Sequence, residues 1–156
     1  MSAAPARPAT AKASIMGAFD GLTCFLGVVL GLVLHKANPA LILPAAIGVG
    51  AAETVGMAAS EWLSESRTGL GASAVMGVAT GAGAVIPALP YAIMPGWYAR
   101  GWSAGLVLVI TAAIAWRRAK TGQRSLALAA AESYGILLAA AVAVAVCVHF
   151  TPGGAA

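Results

Sequence analysis

Five long apolar runs, almost free of charge, dominate this chain and restrict the folds open to it. Each has about the 20 residues that an α-helix needs to cross a bilayer. Charged residues make up 9% of the chain, against about a quarter in soluble domains. The sequence therefore predicts an all-α polytopic membrane protein with five transmembrane helices. The runs cover residues 15–36, 40–62, 73–94, 98–117 and 125–150.

The segments outside the runs are short and carry most of the charge. Residues 1–14, rich in Ala and Pro, predict a disordered tail. Residues 15–150 predict one transmembrane domain, and residues 151–156 a short C-terminal tail. With a cytoplasmic N-terminus, seven Lys and Arg residues lie inside and two, Lys36 and Arg100, lie outside. We therefore expect that orientation, and a net charge of +4 that requires no nucleic-acid partner.

Three of the five acidic residues, Asp20, Glu53 and Glu132, lie inside apolar runs with no Lys or Arg beside them to neutralise their charge. A charge near the bilayer centre costs at least ~2.5–3.5 kcal/mol, so such acids usually mark an ion or proton path. A rise of about 1.5 Å per residue places all three at a similar depth in the cytoplasmic half. The sequence thus predicts one acidic layer that handles cations.

The first two helices carry the candidate ligands. Because these helices run antiparallel, Asp20 is level with Met57 and Cys24 is level with Glu53, and positions four apart share a helix face. Glu61 continues the Glu53 and Met57 stripe toward the cytoplasm. Carboxylates with a thioether, and with Cys24 as a candidate soft ligand, suit iron(II) or manganese(II) better than magnesium or calcium.

Most of these residues are also consistent with roles that involve no metal. Met57 and Cys24 have the properties of packing residues in an apolar helix. Glu61, at the membrane edge, is equally consistent with a solvated helix end. Glu132 has an alternative partner in Arg124.

Small residues four apart recur along the chain, as in Gly17 with Gly21 and Gly27 with Gly31. In lipid such pairs allow close helix packing, so they predict a tight bundle and a homodimer formed through the first helix. They also support an alternative function, a non-transporting membrane scaffold or assembly protein that packs through these faces.

Three segments resemble the vacuolar iron transporter (VIT) family. The segment 19–23, Phe-Asp-Gly-Leu-Thr, resembles the Asp-Gly-Leu motif of the family's first helix. Residues 55–64 are similar to its Ser-Met-Ala-x-Gly-Glu-aromatic-x-Ser signature, and residues 84–91 to its Leu-Ile-Pro-Leu-Leu-Pro run. Only about ten residues, 64–73, stand where many members insert a glutamate-rich cytoplasmic metal-binding domain. The chain therefore resembles a short member.

The resemblance implies a homodimeric exporter, rather than an enzyme. It would move iron(II), and often manganese(II), out of the cytoplasm in exchange for protons, without a resident cofactor. Asp20 and Met57 match family residues that line the ion path. The family's glutamate lies two turns before the methionine, where this chain has Val49, so Glu53 is the candidate substitute.

The other acids receive auxiliary roles in this interpretation. Glu61 and Glu65 would guide metal into the cytoplasmic mouth, and Glu132 would be a proton-coupling site. The expected partners are metal ions, protons and the lipid bilayer. A short chain without targeting signals favours a bacterial plasma membrane.

Overall fold

The computed structural model describes residues 9–64, 70–122 and 125–151. These residues contain no strand, and two 3-10 turns, Pro39–Leu41 and Ile86–Ala88, supplement the helices. The helices make five segments long and apolar enough to cross a membrane, and the third joins α3, a turn and α4. The prediction of an all-α, five-span protein is therefore confirmed. The helices are α1 (Ala9–Leu34), α2 (Ile42–Ser64), α3 (Leu70–Val85), α4 (Pro90–Ile93), α5 (Gly96–Gly122) and α6 (Leu126–Phe150).

The outer surface of the bundle is apolar. Large hydrophobic side chains such as Leu138 and Val109 are about two-thirds exposed, which a water-soluble surface avoids over so wide an area. Trp62 and Trp116 are exposed near one end of the bundle, and Trp97 near the other. This arrangement fits aromatic side chains at the two interfaces of a bilayer. The protein is an integral membrane protein.

The first helix begins earlier than its hydropathy indicates. α1 starts at Ala9, so the prediction that residues 9–14 belong to a disordered tail is wrong; residues 1–8 and 152–156 lie outside the described part. The physical reason is tertiary packing, because Ala13 is buried in a cluster with Ala72 and Met76 of α3. At its other end α1 stops with Lys36 at a positive φ of 54°, where the amide of Ala37 donates to the carbonyl of Leu32.

α3 is the central helix of the bundle. It packs against both α1 and α2, while α5 and α6 pack against each other and against α1. Half of the third span is buried inside the bundle, compared with 11% of the fifth. After Val85 the regular helix gives way to a 3-10 turn, because Pro87 and Pro90 cannot donate backbone hydrogen bonds.

Glycines bring the backbones of these helices together. A Cβ at Gly17 would overlap the carbonyl oxygen of Met76, and one at Gly21 would overlap that of Thr80, so α1 needs glycine at both positions. This pair therefore packs against α3 within the chain. At Gly31 a Cβ would meet nothing within 4 Å. A homodimer formed through α1 stays a prediction that concerns this remaining part of the helix.

Candidate metal site

Two carboxylates and a thiol meet between α1 and α2. One ligand atom from each of Asp20, Cys24 and Glu53 can be chosen such that all lie within 4.8 Å of one another. All three residues are half-buried. Asp20 and Cys24 are one turn apart on α1, and Glu53 reaches them from α2, as the antiparallel register of the two helices predicts.

The size of this cluster suits one divalent ion. Metal to oxygen bonds are about 2.0–2.2 Å and metal to sulfur bonds about 2.3 Å, so ligands on opposite sides of one ion lie about 4–4.5 Å apart. The observed spread of up to 4.8 Å needs only a small side-chain adjustment to reach that distance. Two negative carboxylates close together also repel each other, and a bound cation removes that repulsion.

The backbone of α3 positions both carboxylates. Thr80 lies against Gly21, the neighbour of Asp20. The approach is so close that a Cβ at Gly21 would overlap the carbonyl oxygen of Thr80. The next residue of α3, Gly81, lies against Thr54, which follows Glu53 in α2. Thr54 directs its hydroxyl to the carbonyl of Gly50 at 2.7 Å, which holds the side chain along its own helix. Two consecutive residues of α3 thus set the places of both acidic residues.

Asp20 also lines a cavity of about 460 Å³, together with Met57. The remaining wall comes from Thr23, from Arg118 and from apolar side chains of α1, α5 and α6. Met57 also packs against the cluster of Ala13, Ala72 and Met76, so it has a packing role as well as a place beside Asp20. The cavity gives the acidic cluster room for an ion to approach from the side of Met57.

Other residues predicted for the site lie outside this cluster. Glu61 is half-buried two turns beyond Glu53 on α2, and it belongs neither to the cluster nor to the residues that line the cavity. Glu65 lies outside the described residues. Val49, which stands where the resemblance places the family's glutamate, is half-buried. Glu53 lies one turn further along α2 from that position.

Glu132 has a cationic partner on another helix, although its own apolar run contains no Lys or Arg. An Nη atom of Arg118 donates to a carboxylate oxygen of Glu132 at 2.7 Å, and the other Nη atom donates to the hydroxyl of Ser133 at 2.8 Å. The pair joins α5 to α6 across 14 residues of sequence. The sequence did not indicate this ion pair, because Arg118 lies at the edge of its apolar run and reads as a charge at the membrane surface. Only the packing of α5 against α6 brings its side chain to Glu132. Arg124, the alternative partner, lies outside the described residues.

Fold and cluster together define a polytopic α-helical membrane protein whose first two spans carry a cluster suited to a divalent cation. The comparisons with known proteins agree with this class. Residues 11–70, which include α1 and α2, match the family model described as the VIT family, and this match agrees with the predicted resemblance. VIT family proteins are transporters that are associated with the movement of metal ions across membranes. No curated protein and no solved structure matches the chain.

Proposed function

We propose that this protein exports a divalent transition metal, iron(II) or manganese(II), from the cytoplasm in exchange for protons. The observation that carries the proposal is the meeting of Asp20, Cys24 and Glu53 within 4.8 Å inside a membrane span. Such half-buried acids are costly in a bilayer unless they bind a cation or a proton. The ligand set of two carboxylates and a thiol, with a thioether nearby, favours a transition metal over magnesium.

Proton exchange follows from the chemistry of the same carboxylates. A carboxylate must be deprotonated to bind metal, so metal and protons compete for Asp20 and Glu53. A site that opens alternately to each side would therefore carry metal one way and protons the other. The bacterial plasma membrane is the location that we propose, with the N-terminus in the cytoplasm by the distribution of basic residues.

Binding of manganese(II) to purified protein in detergent tests the site directly. We expect one ion per chain by calorimetry or by electron paramagnetic resonance. Asp20→Asn and Glu53→Gln should each lower the affinity by more than the roughly 10–100-fold that is lost when a group behind a ligand is removed. Glu61→Gln is the matched control, since it removes a carboxylate from α2 outside the cluster.

Transport is tested in liposomes that contain the protein and a pH indicator. We expect manganese(II) or iron(II) to drive proton movement in the opposite direction. Proton flux that still depends on metal in both Asp20→Asn and Glu53→Gln would sink the proposal.

The scaffold alternative loses part of its support in the structure. It depended on small-residue faces free to meet a partner, whereas Gly17, Gly21 and Gly77 face the backbones of neighbouring helices within the chain. It also leaves the acidic cluster without a purpose. Protein that binds no manganese(II) or iron(II) would favour it again.

A further inference from the structure

The cavity beside the acidic cluster contains a positive charge as well as a negative one. Asp20 and Met57 line it from α1 and α2, and Arg118 lines it from α5. An arginine beside a cation site lowers the affinity for metal, because it repels the ion and attracts the carboxylate that the ion needs. A metal site in this cavity therefore requires the charge of Arg118 to be held elsewhere.

Glu132 and Ser133 hold Arg118 on the side of α6. Both Nη atoms of the guanidinium are engaged, at 2.7 Å to Glu132 and at 2.8 Å to Ser133. Ser133 is itself buried and donates to the carbonyl of Ala129 at 2.8 Å, which fixes its hydroxyl as an acceptor. The side chains of Arg118 and Glu132 are only 27% and 31% exposed, so water screens the pair less than it screens an ion pair at an open surface.

We propose that Glu132 is a positioning residue that keeps Arg118 from occupying the metal site as an internal cation. While the ion pair is formed, Asp20 is available to metal. When residue 132 carries no negative charge, the guanidinium turns to the carboxylate of the cavity, Asp20, and excludes the ion. This inference depends on the proposed metal site, and it gives Glu132 a role other than the predicted proton site.

The size of the effect follows from Coulomb's law. A unit charge about 10 Å from a divalent ion changes its affinity at least tenfold when the effective dielectric constant is about 20–40. Direct pairing of Arg118 with Asp20 would weaken binding further. We therefore expect Glu132→Gln to lower manganese(II) affinity at least about tenfold, although Glu132 is absent from the ligand cluster.

A double-variant cycle separates this role from a structural one. Manganese(II) affinity is measured for Glu132→Gln, Arg118→Gln and the double variant, with thermal unfolding of each in detergent. We expect the loss in Glu132→Gln, affinity at or above that of the original protein in Arg118→Gln, and restored affinity in the double variant. An ion pair that only stabilises the bundle predicts lower thermal stability in both single variants and no rescue of binding.

Two controls define the charge effect. Arg117→Gln removes the same charge one residue away, on an exposed side chain that does not line the cavity, and should change affinity much less. Glu132→Asp keeps the carboxylate and should retain most of the affinity. Unchanged affinity in Glu132→Gln, or a double variant as weak as Glu132→Gln, overturns the inference while the metal site stands. If the original protein binds no manganese(II), the proposed function fails, and this inference fails with it.

Discussion

Replacing Gly21 with alanine tests whether backbone contact between α1 and α3 holds the bundle together. A Cβ at Gly21 would overlap the carbonyl oxygen of Thr80 and come within 3.0 Å of the amide nitrogen of Ala84. Both are backbone atoms of α3, so no side-chain rotation relieves the overlap. The two helices would have to separate, and the burial of their interface would decrease.

The expected cost follows from the packing terms. Overpacking in a well-packed interior costs about 1–3 kcal/mol, and loss of a close Cα–H contact to a carbonyl adds about 0.5–1 kcal/mol. Alanine recovers up to ~1 kcal/mol through its higher helix propensity. Gly31→Ala is the matched control on the same helix. A Cβ at Gly31 meets nothing within 4 Å, so this variant has the gain in helix propensity without the packing cost. Since the helix-propensity gain is common to both variants, they should differ by about 1.5–4 kcal/mol in free energy of unfolding.

Thermal unfolding in detergent measures that difference. At roughly 2–4 °C per kcal/mol for a chain of this size, Gly21→Ala should unfold at least about 3 °C below Gly31→Ala. Manganese(II) binding should also weaken, since Gly21 adjoins Asp20. Equal midpoints for the two variants would refute the close approach of α1 and α3.

Three further substitutions test individual residues. Met57→Leu keeps the side-chain volume but removes the thioether. Iron(II) affinity, measured by calorimetry, should fall several-fold, while the free energy of unfolding changes by less than ~1.5 kcal/mol. Unchanged affinity would assign Met57 to packing alone. Cys24→Ser should weaken binding of the soft ion cadmium(II) more than that of manganese(II), whereas Cys147→Ser, at an exposed position far along α6, should alter neither. Equal losses for both ions would exclude the thiol as a ligand. Lys36→Gly should raise the unfolding midpoint by a few degrees, because glycine adopts a φ of 54° without steric cost; a lower midpoint would contradict the helix end described above.

The sequence contains much of the information for the acidic cluster. Hydropathy sets the five spans, and the antiparallel connection of α1 and α2 then places Asp20, Cys24 and Glu53 at compatible depths. The four-residue spacing of Asp20 and Cys24 further places them on one helix face. Geometry within one hairpin thus follows from helical periodicity and from the length of the connection.

Contacts between helices that are distant in the chain could not be predicted in the same way. Periodicity states which residues share a face, but not which neighbouring helix that face meets. From the sequence, Gly17 and Gly21 are as compatible with contact to a second copy of the chain as with contact to α3. The cationic partner of Glu132 likewise depends on the packing of α5 against α6, which periodicity does not give. The start of α1 was missed for the same reason, because Ala13 gains its burial from α3.

The contact of α3 with both ligand helices affects how the preference for one metal over another can change. The main-chain carbonyl of Thr80 lies against Gly21, the neighbour of Asp20, and Gly81 lies against the side-chain hydroxyl of Thr54, the neighbour of Glu53. The interval between the two carboxylates therefore depends on how closely the three helices approach. Ions that differ by a few hundredths of a nanometre in radius would then be discriminated by residues that never coordinate them. Over evolution, selectivity in such a protein would shift through exchanges of glycine and alanine in α3 while the ligands themselves remain the same.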